Sequence, residues 1–400
     1  MSLLPVEEAI AAILRRVPNP RAEPVPLAAA AGRVLLDPVI AGHDQPPFPA
    51  SAMDGYALRA DDVRPGLPLA LVGTSQAGAG FSGVLKPGEA VRIFTGAPVP
   101  EGADTVIMQE QARLSEAGVS FAAPPQRGHS IRPLGHDFSR GQILVAAGER
   151  LTPMQLSVAA AANLAHLGVA RRPRIALLAT GDELVLPGAP LGPDQIVSSN
   201  STGLAAMLAP YAETVDDFGI APDDRAALRA KLEAVFATAP DLVVTTGGAS
   251  VGDHDIVQDI LRELGVTVDF WRINMRPGKP LMFGTRGGTL VFGLPGNPVS
   301  AMVTATVFIK PALRAWLGHA EPPAWRLPLL APTPPNTARR HFMRARLVQT
   351  QEGPGLRPIG QTDSGHTSSM AEADMLIVQP EHDPGQPAGS LVEALRIDAF

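Results

Sequence analysis

L-V-V-T-T-G-G-A-S-V-G-D-H-D (Leu242–Asp255) is the stretch that decides the fold. Leu242–Thr246 is apolar and β-branched, which predicts a short buried strand. A Gly-rich loop follows. Ile256, Ile260, Leu261 and Leu264 then recur at helical spacing. The pattern has an upstream counterpart. Ile175–Ala179 predicts a second buried strand, which runs into T-G-D-E-L (Thr180–Leu184). Between the two lie a helix over Ser201–Leu208, a strand over Thr214–Phe218 and a helix over Arg225–Thr238. Leu228, Leu232 and Val235 share one face of the last helix, and Asp223 and Asp224 stand where they could cap it. Downstream, Val266–Trp271, Leu281–Gly284 and Leu290–Gly293 predict strands. A closing helix over Val299–Ile309 is expected to break at Pro311. Residues 173–320 therefore predict a doubly wound, mainly parallel α/β domain with helices on both faces. Such sheets bind ligands beyond the carboxyl ends of their strands.

The texture changes on both sides. Pro5–Val17 reads as an amphipathic helix stopped by Pro18 and Pro20. Val25–Leu36 predicts a second short helix, and Pro153–Leu167 a third. Between them, residues 44–137 alternate short apolar runs with Gly/Pro turns, the pattern of a small β domain. We expect residues 1–43 and 138–172 to form one extended helical segment, with this β domain inserted into it. Residues 325–400 return to a β pattern, over Phe342–Val348, Met375–Val378 and Leu391–Ile397, and predict a barrel-like C-terminal β domain.

Composition excludes several functions. There is no Cys, so disulfides, thiolate metal sites and cysteine nucleophiles are ruled out. Net charge is −6, which argues against nucleic acid as a partner. Any anion site must then be a local pocket; Arg171-Arg172 and Arg339-Arg340-His341 read as short solvated runs. Glu7, Glu8, Arg15 and Arg16 interrupt any leader-like apolar core, and no run is long enough to span a bilayer. A cytoplasmic protein is expected.

The strand-end loops carry the chemistry. Thr180, Gly181, Asp182 and Glu183 combine a turn with two carboxylates, able to bind a divalent cation or to be a polar turn only. Gly247, Gly248 and Ser250 precede a helix and could cradle an anion on backbone N–H groups, with Asp255 close behind. The loop lacks the G-K-[ST] ending of a Walker loop and the G-x-G-x-x-G spacing of a dinucleotide site. Arg272, Arg276 and Lys279 place three cations around a Pro-Gly turn, suited to an oxyanion or to surface ion pairs. Pro295, Gly296, Asn297 and Pro298 form a turn in which Asn297 fits a helix cap and Pro298 the first helical position.

Taken together, these segments resemble the molybdopterin molybdenumtransferase family, the bacterial MoeA type, and the C-terminal part of gephyrin. The matching pieces are S-A-M-D-G-Y-A (Ser51–Ala57), F-T-G-A-P-V-P-E-G-A-D (Phe94–Asp104), I-R-P-L-G-H-D (Ile131–Asp137), T-G-D-E-L, T-G-G-A-S-V-G-D-H-D (Thr246–Asp255), R-P-G-K-P (Arg276–Pro280) and G-L-P-G-N-P-V-S (Gly293–Ser300). Each is weak alone; the ordered set covers nearly the whole chain. The family's bacterial members often carry Lys where this chain has Arg272 and Arg276.

The resemblance implies four domains, an elongated homodimer paired through the helical segment, and a pterin site on the α/β domain. It implies that molybdate is inserted into adenylated molybdopterin, with AMP released and a divalent cation, Mg(2+), required. It implies catalytic roles for Asp54, Asp137 and Glu183, with Asp54 and Glu183 holding the metal. Thr95, Arg132, Asp223 and, in the C-terminal domain, Ser368 join the substrate-binding set. A molybdopterin adenylyltransferase could be a partner. That enzyme activity, and a gephyrin-like binding scaffold, are the alternative functions.

Overall fold

The computed structural model describes residues 3–248, 256–360 and 363–397. Its centre is a six-stranded sheet in the order Thr214–Ala221, Arg174–Thr180, Leu242–Thr246, Thr289–Leu294, Pro280–Arg286, Thr267–Arg272. The first four are parallel; only Pro280–Arg286 runs against the rest. Side chains alternate between the faces, as a pleated strand requires. Ile175, Leu177, Leu242 and Val244 enter one apolar core, and Ala176, Leu178 and Val243 the other. Helices Asn200–Leu208 and Pro298–Thr304 contribute to the first core. Arg225–Ala237 and Ile256–Glu263 contribute to the second. The doubly wound reading holds.

Several details differ from expectation. Pro311 does not end the closing helix. The chain widens into π-type turns over Ala305–Ile309 and continues as an α-helix over Lys310–Trp316. Proline lacks an N–H and crowds the carbonyl four residues back, here Val307, and a widened turn accommodates both. The helix end is then anchored. The Trp316 indole N–H donates to the Arg171 carbonyl at 3.2 Å, and the Arg171 guanidinium lies over the same ring. Arg171 also pairs with Asp241 at 2.6 Å, and Arg172 donates to the Gly32 carbonyl, so this basic pair is engaged rather than solvated.

Val25–Leu36 is not a helix. Ala22–Pro26 is a strand paired antiparallel with His166–Ala170, followed by a single 3-10 turn. Pro24 and Pro26 favour extended backbone, and the partner strand overrides the local helical spacing. The helix starting at Pro153 stops at Ala161, because Asn163 adopts a left-handed conformation (φ 62°) that ends it. The segment joining the two ends of the chain's first half is thus held by β ladders as much as by helices. The N-terminal helix Val6–Leu14 instead packs Val6, Ala9 and Ile13 into the α/β core.

Within residues 44–137 a four-stranded sheet runs Ala70–Ser75, Glu89–Ile93, Gly55–Leu58, Thr105–Met108. The C-terminal sheet contains Arg340–Thr350, Met375–Gln379, Leu391–Arg396, Trp325–Pro328 and Gly353–Pro358. It does not close into a barrel among the described residues. Its edges meet only at an isolated bridge, Leu329 to Leu356. Its other neighbour is a two-residue strand, Met275–Arg276, lent by the α/β domain.

Candidate functional site

The parallel strands end in register: Thr180 beside Ala221, Ala179 beside Thr246, and Thr246 beside Leu294. Their loops therefore leave the sheet at one level. They line a cavity of about 620 Å³ between the α/β domain and the C-terminal sheet.

Thr180, Gly181, Glu183 and Asp223 form one side of it. Asp182 turns away and accepts the Asp223 backbone N–H at 3.0 Å, which binds the two acidic loops together. Desolvation first, then the charges of Asp182 and Glu183, push the Asp223 carboxyl above its ordinary range. Asp224, not Asp223, caps the following helix, accepting from Ala227 N–H at 2.9 Å. The floor is Gly247, Gly248, Pro295, Gly296 and Asn297. Gly247 has φ +89°, and a Cβ there would stand 2.2 Å from the Thr180 carbonyl oxygen. Only glycine lets these two strand ends touch. Asn297 occupies the cap position of helix Pro298–Thr304 but makes no side-chain cap. Its amide donates instead to Ser364 Oγ at 2.8 Å, reaching the C-terminal domain.

The cationic wall comes from the Pro-Gly turn. Ile273 N–H donates to the Lys279 carbonyl at 2.9 Å, closing the turn. Arg276 and Lys279 line the cavity. Burial, and then Arg339, lower the proton affinity of Arg276, and its Nε is buried with no partner among the described residues. An oxyanion would satisfy both. Arg272 is not part of this wall; its guanidinium lies over Trp271, 4.6 Å from the ring centre.

Sequence reading missed what the C-terminal domain adds. Arg339 and His341, expected to be solvated, line the cavity, as does Ser364. The ladder pairing Arg276 with His341 brings them there. His341 is 6% exposed, and burial, then the charge of Arg276, push its imidazole down to about 4. Ser368 is exposed and is not a lining residue. Ser250 and Asp255 lie outside the described residues.

Asp54, Thr95, Arg132 and Asp137 stand apart from this cavity's lining. Asp54 accepts from the Thr95 backbone N–H and hydroxyl, each at 2.7 Å, and these bonds hold its carboxyl below the usual range. Arg132 pairs with Ala50 in the ladder beside Ser51, so it flanks the same corner. Asp137 is exposed, its N–H bound to the Gln45 carbonyl. A second cavity, about 530 Å³ and walled by Ile10, Leu14, Val307 and Phe342, contains none of the candidate catalytic, metal or substrate-binding residues named from the sequence.

Comparison with known proteins finds relatives along the whole chain. Residues 4–163 match the model of the MoeA N-terminal region (domain I and II), residues 176–315 that of a probable molybdopterin binding domain, and residues 326–397 that of the MoeA C-terminal region (domain IV). The chain is 38% identical to the molybdopterin molybdenumtransferase of Haemophilus influenzae, over 82% of this chain and 80% of that one. It is 37% identical to molybdopterin molybdenumtransferase 2 of Mycobacterium tuberculosis, over 92% and 93%. The crystal structure of the molybdopterin biosynthesis MoeA protein from Pyrococcus horikoshii superimposes with a TM-score of 0.87, at 31% identity and full coverage of both chains. On this match along its length, the chain belongs to the molybdopterin molybdenumtransferase family.

Proposed function

We propose that this chain inserts molybdate into adenylated molybdopterin, releasing AMP and forming molybdenum cofactor. The observation that carries the reading is the cavity itself. Acids and glycines from the parallel strand ends face Arg276, Lys279 and Arg339 across a space of about 620 Å³. The cations suit a dianionic oxyanion. The glycine loops allow close approach of a phosphate to backbone N–H groups.

Magnesium is the cation we assign. Among the described residues, no group of three or more His, Asp or Glu side chains could hold a metal by itself. Magnesium fits nonetheless, because it is held by one or two carboxylates together with substrate phosphates. Glu183 supplies one carboxylate and Asp223 stands beside it in the lining, where a cation relieves their mutual repulsion; Asp54, the other ligand the resemblance implies, would come from the facing chain of the dimer proposed below. Bound there, the ion would neutralise charge on the phosphoanhydride as it breaks.

We further propose a homodimer, in which the corner bearing Asp54, Thr95 and Arg132 faces the partner's α/β cavity. Its support is that these residues have no place in the lining of their own chain's cavity. Residues 1–43 with 138–172, 44–137, 173–320 and 325–400 are the four working parts. A cytoplasmic location and supply of substrate by a molybdopterin adenylyltransferase complete the reading. The test is to give the purified protein adenylated molybdopterin and measure AMP. Release should require both molybdate and magnesium, stop with EDTA and return with added magnesium. Release at the full rate without molybdate, or in excess chelator, would refute it.

A further inference from the structure

His341 lines the cavity but has no role in the reaction as read so far. Its neighbours define its tautomer. The Gln379 amide nitrogen donates to the Pro334 carbonyl at 2.7 Å, which leaves its Oε1 toward the ring as an acceptor. His341 Nδ1 lies 3.3 Å from that oxygen, so Nδ1 carries the proton. Nε2 is then the nitrogen left to meet a ligand. In the neutral ring Nε2 is a lone pair, which opposes the oxygen of a dianion. Protonated, it would donate to that oxygen.

The surrounding charges decide which form prevails. On the ring's own chain segment stand Arg339 and Arg344, and on the paired ladder stands Arg276. Lys279 follows in the same turn. Gln379, on the third strand, is neutral. Glu183 and Asp223 stand among the lining of the α/β side. The cations disfavour another positive charge, and burial adds to this. A dianion among Arg276, Lys279 and Arg339 reverses the balance. It cancels the repelling field and offers an acceptor for the new N–H.

We propose that His341 takes up one proton from solvent when a tetrahedral dianion enters the cavity, so that oxyanion binding is proton-coupled and Nε2–H becomes one of its donors. This rests on the cavity being the oxyanion site. The sign follows: affinity rises as pH falls, by up to about tenfold per unit, until the ring is charged before binding.

The test is calorimetry on the full chain with sulfate and with molybdate, at about pH 6.5, in two buffers of different protonation heat. Sulfate serves as a dianion that does not itself titrate in this range. Wild type should take up a substantial fraction of a proton per anion bound. His341→Asn and His341→Gln should still bind the anion, with that uptake lost and the affinity flatter against pH. Equal uptake in wild type and variants, or none in wild type with sulfate bound, would overturn the proposal. If the variants do not fold, imidazole NMR of wild type decides: the His341 ring signals should move to imidazolium positions on adding sulfate at fixed pH, and unmoved signals would overturn it. Failure of the underlying site reading is distinct. There, neither anion binds wild type, or both bind Arg276→Ala as well as wild type.

Discussion

Arg276 and His341 are Cα partners in a two-residue parallel ladder that joins the α/β domain to the C-terminal sheet. The Arg276 backbone is therefore tied to both domains, while its side-chain Nε is buried and unpartnered among the described residues. Arg276→Ala should raise the molybdate concentration for half-maximal rate by roughly tenfold to a hundredfold, the range of a lost hydrogen bond to a charged group. Arg276→Lys should be milder but not neutral, because the charge stays while the planar fork is lost. An unchanged molybdate dependence in the alanine variant would assign this side chain to structure.

Glu183→Ala should abolish AMP release while adenylated molybdopterin still binds within about an order of magnitude of wild type. Glu183 lines the cavity beside Gly181 and makes no side-chain hydrogen bond or ion pair among the described residues. Turnover and binding are measured separately, at saturating magnesium. Wild-type turnover would remove Glu183 from the chemistry.

Asp54 lies on the inserted β domain, and Glu183 at a strand end of the α/β sheet. If the partner chain completes each cavity, inactive Asp54→Ala mixed with inactive Glu183→Ala should regain activity after subunit exchange. One intact site forms per heterodimer. Two affinity tags, pulled down in sequence, verify the exchange. Heterodimers that form and stay inactive would place the whole site within one chain.

His341 should make the fold acid-sensitive. The unfolded chain binds the imidazole proton near pH 6.5, whereas the fold keeps it off until about 4. Between these values the unfolded state carries more protons, so stability falls as pH falls through the window. The loss from this group is at most about 3 kcal/mol. Denaturant unfolding across the window should show a smaller acid loss in His341→Asn than in wild type. Parallel curves would mean that the ring is not held neutral by the fold.

Much of this was legible in the sequence, and each miss has a physical cause. The strand Leu242–Thr246 and the two glycines that follow it were legible because strand period and glycine placement are local signals. The same holds for Thr180–Glu183 and for Arg276 and Lys279. Arg339 and His341 carry no such signal. They read as a basic surface run until the ladder with Met275–Arg276 turns that segment toward the cavity. Ser364, rather than Ser368, lines the cavity, and the bond from Asn297 that holds it there has no local sequence signal. Pro311 misled for the opposite reason. Its local rule is sound, but tertiary packing kept the helix whole through a wider turn.

That uninterrupted helix has a consequence for how the chain can be cut. It carries the polypeptide from the cavity floor at Asn297 back to Trp316, whose indole meets Arg171 at the start of the sheet. The domain's point of entry and point of exit are thus neighbours. A unit with adjoining ends can be spliced into a host loop, or circularly permuted, without stretching what flanks it. In this respect the α/β domain is a portable cassette that carries Arg276 and Lys279 with it, and Arg339 and His341 from the C-terminal segment are what a transplant would have to rebuild.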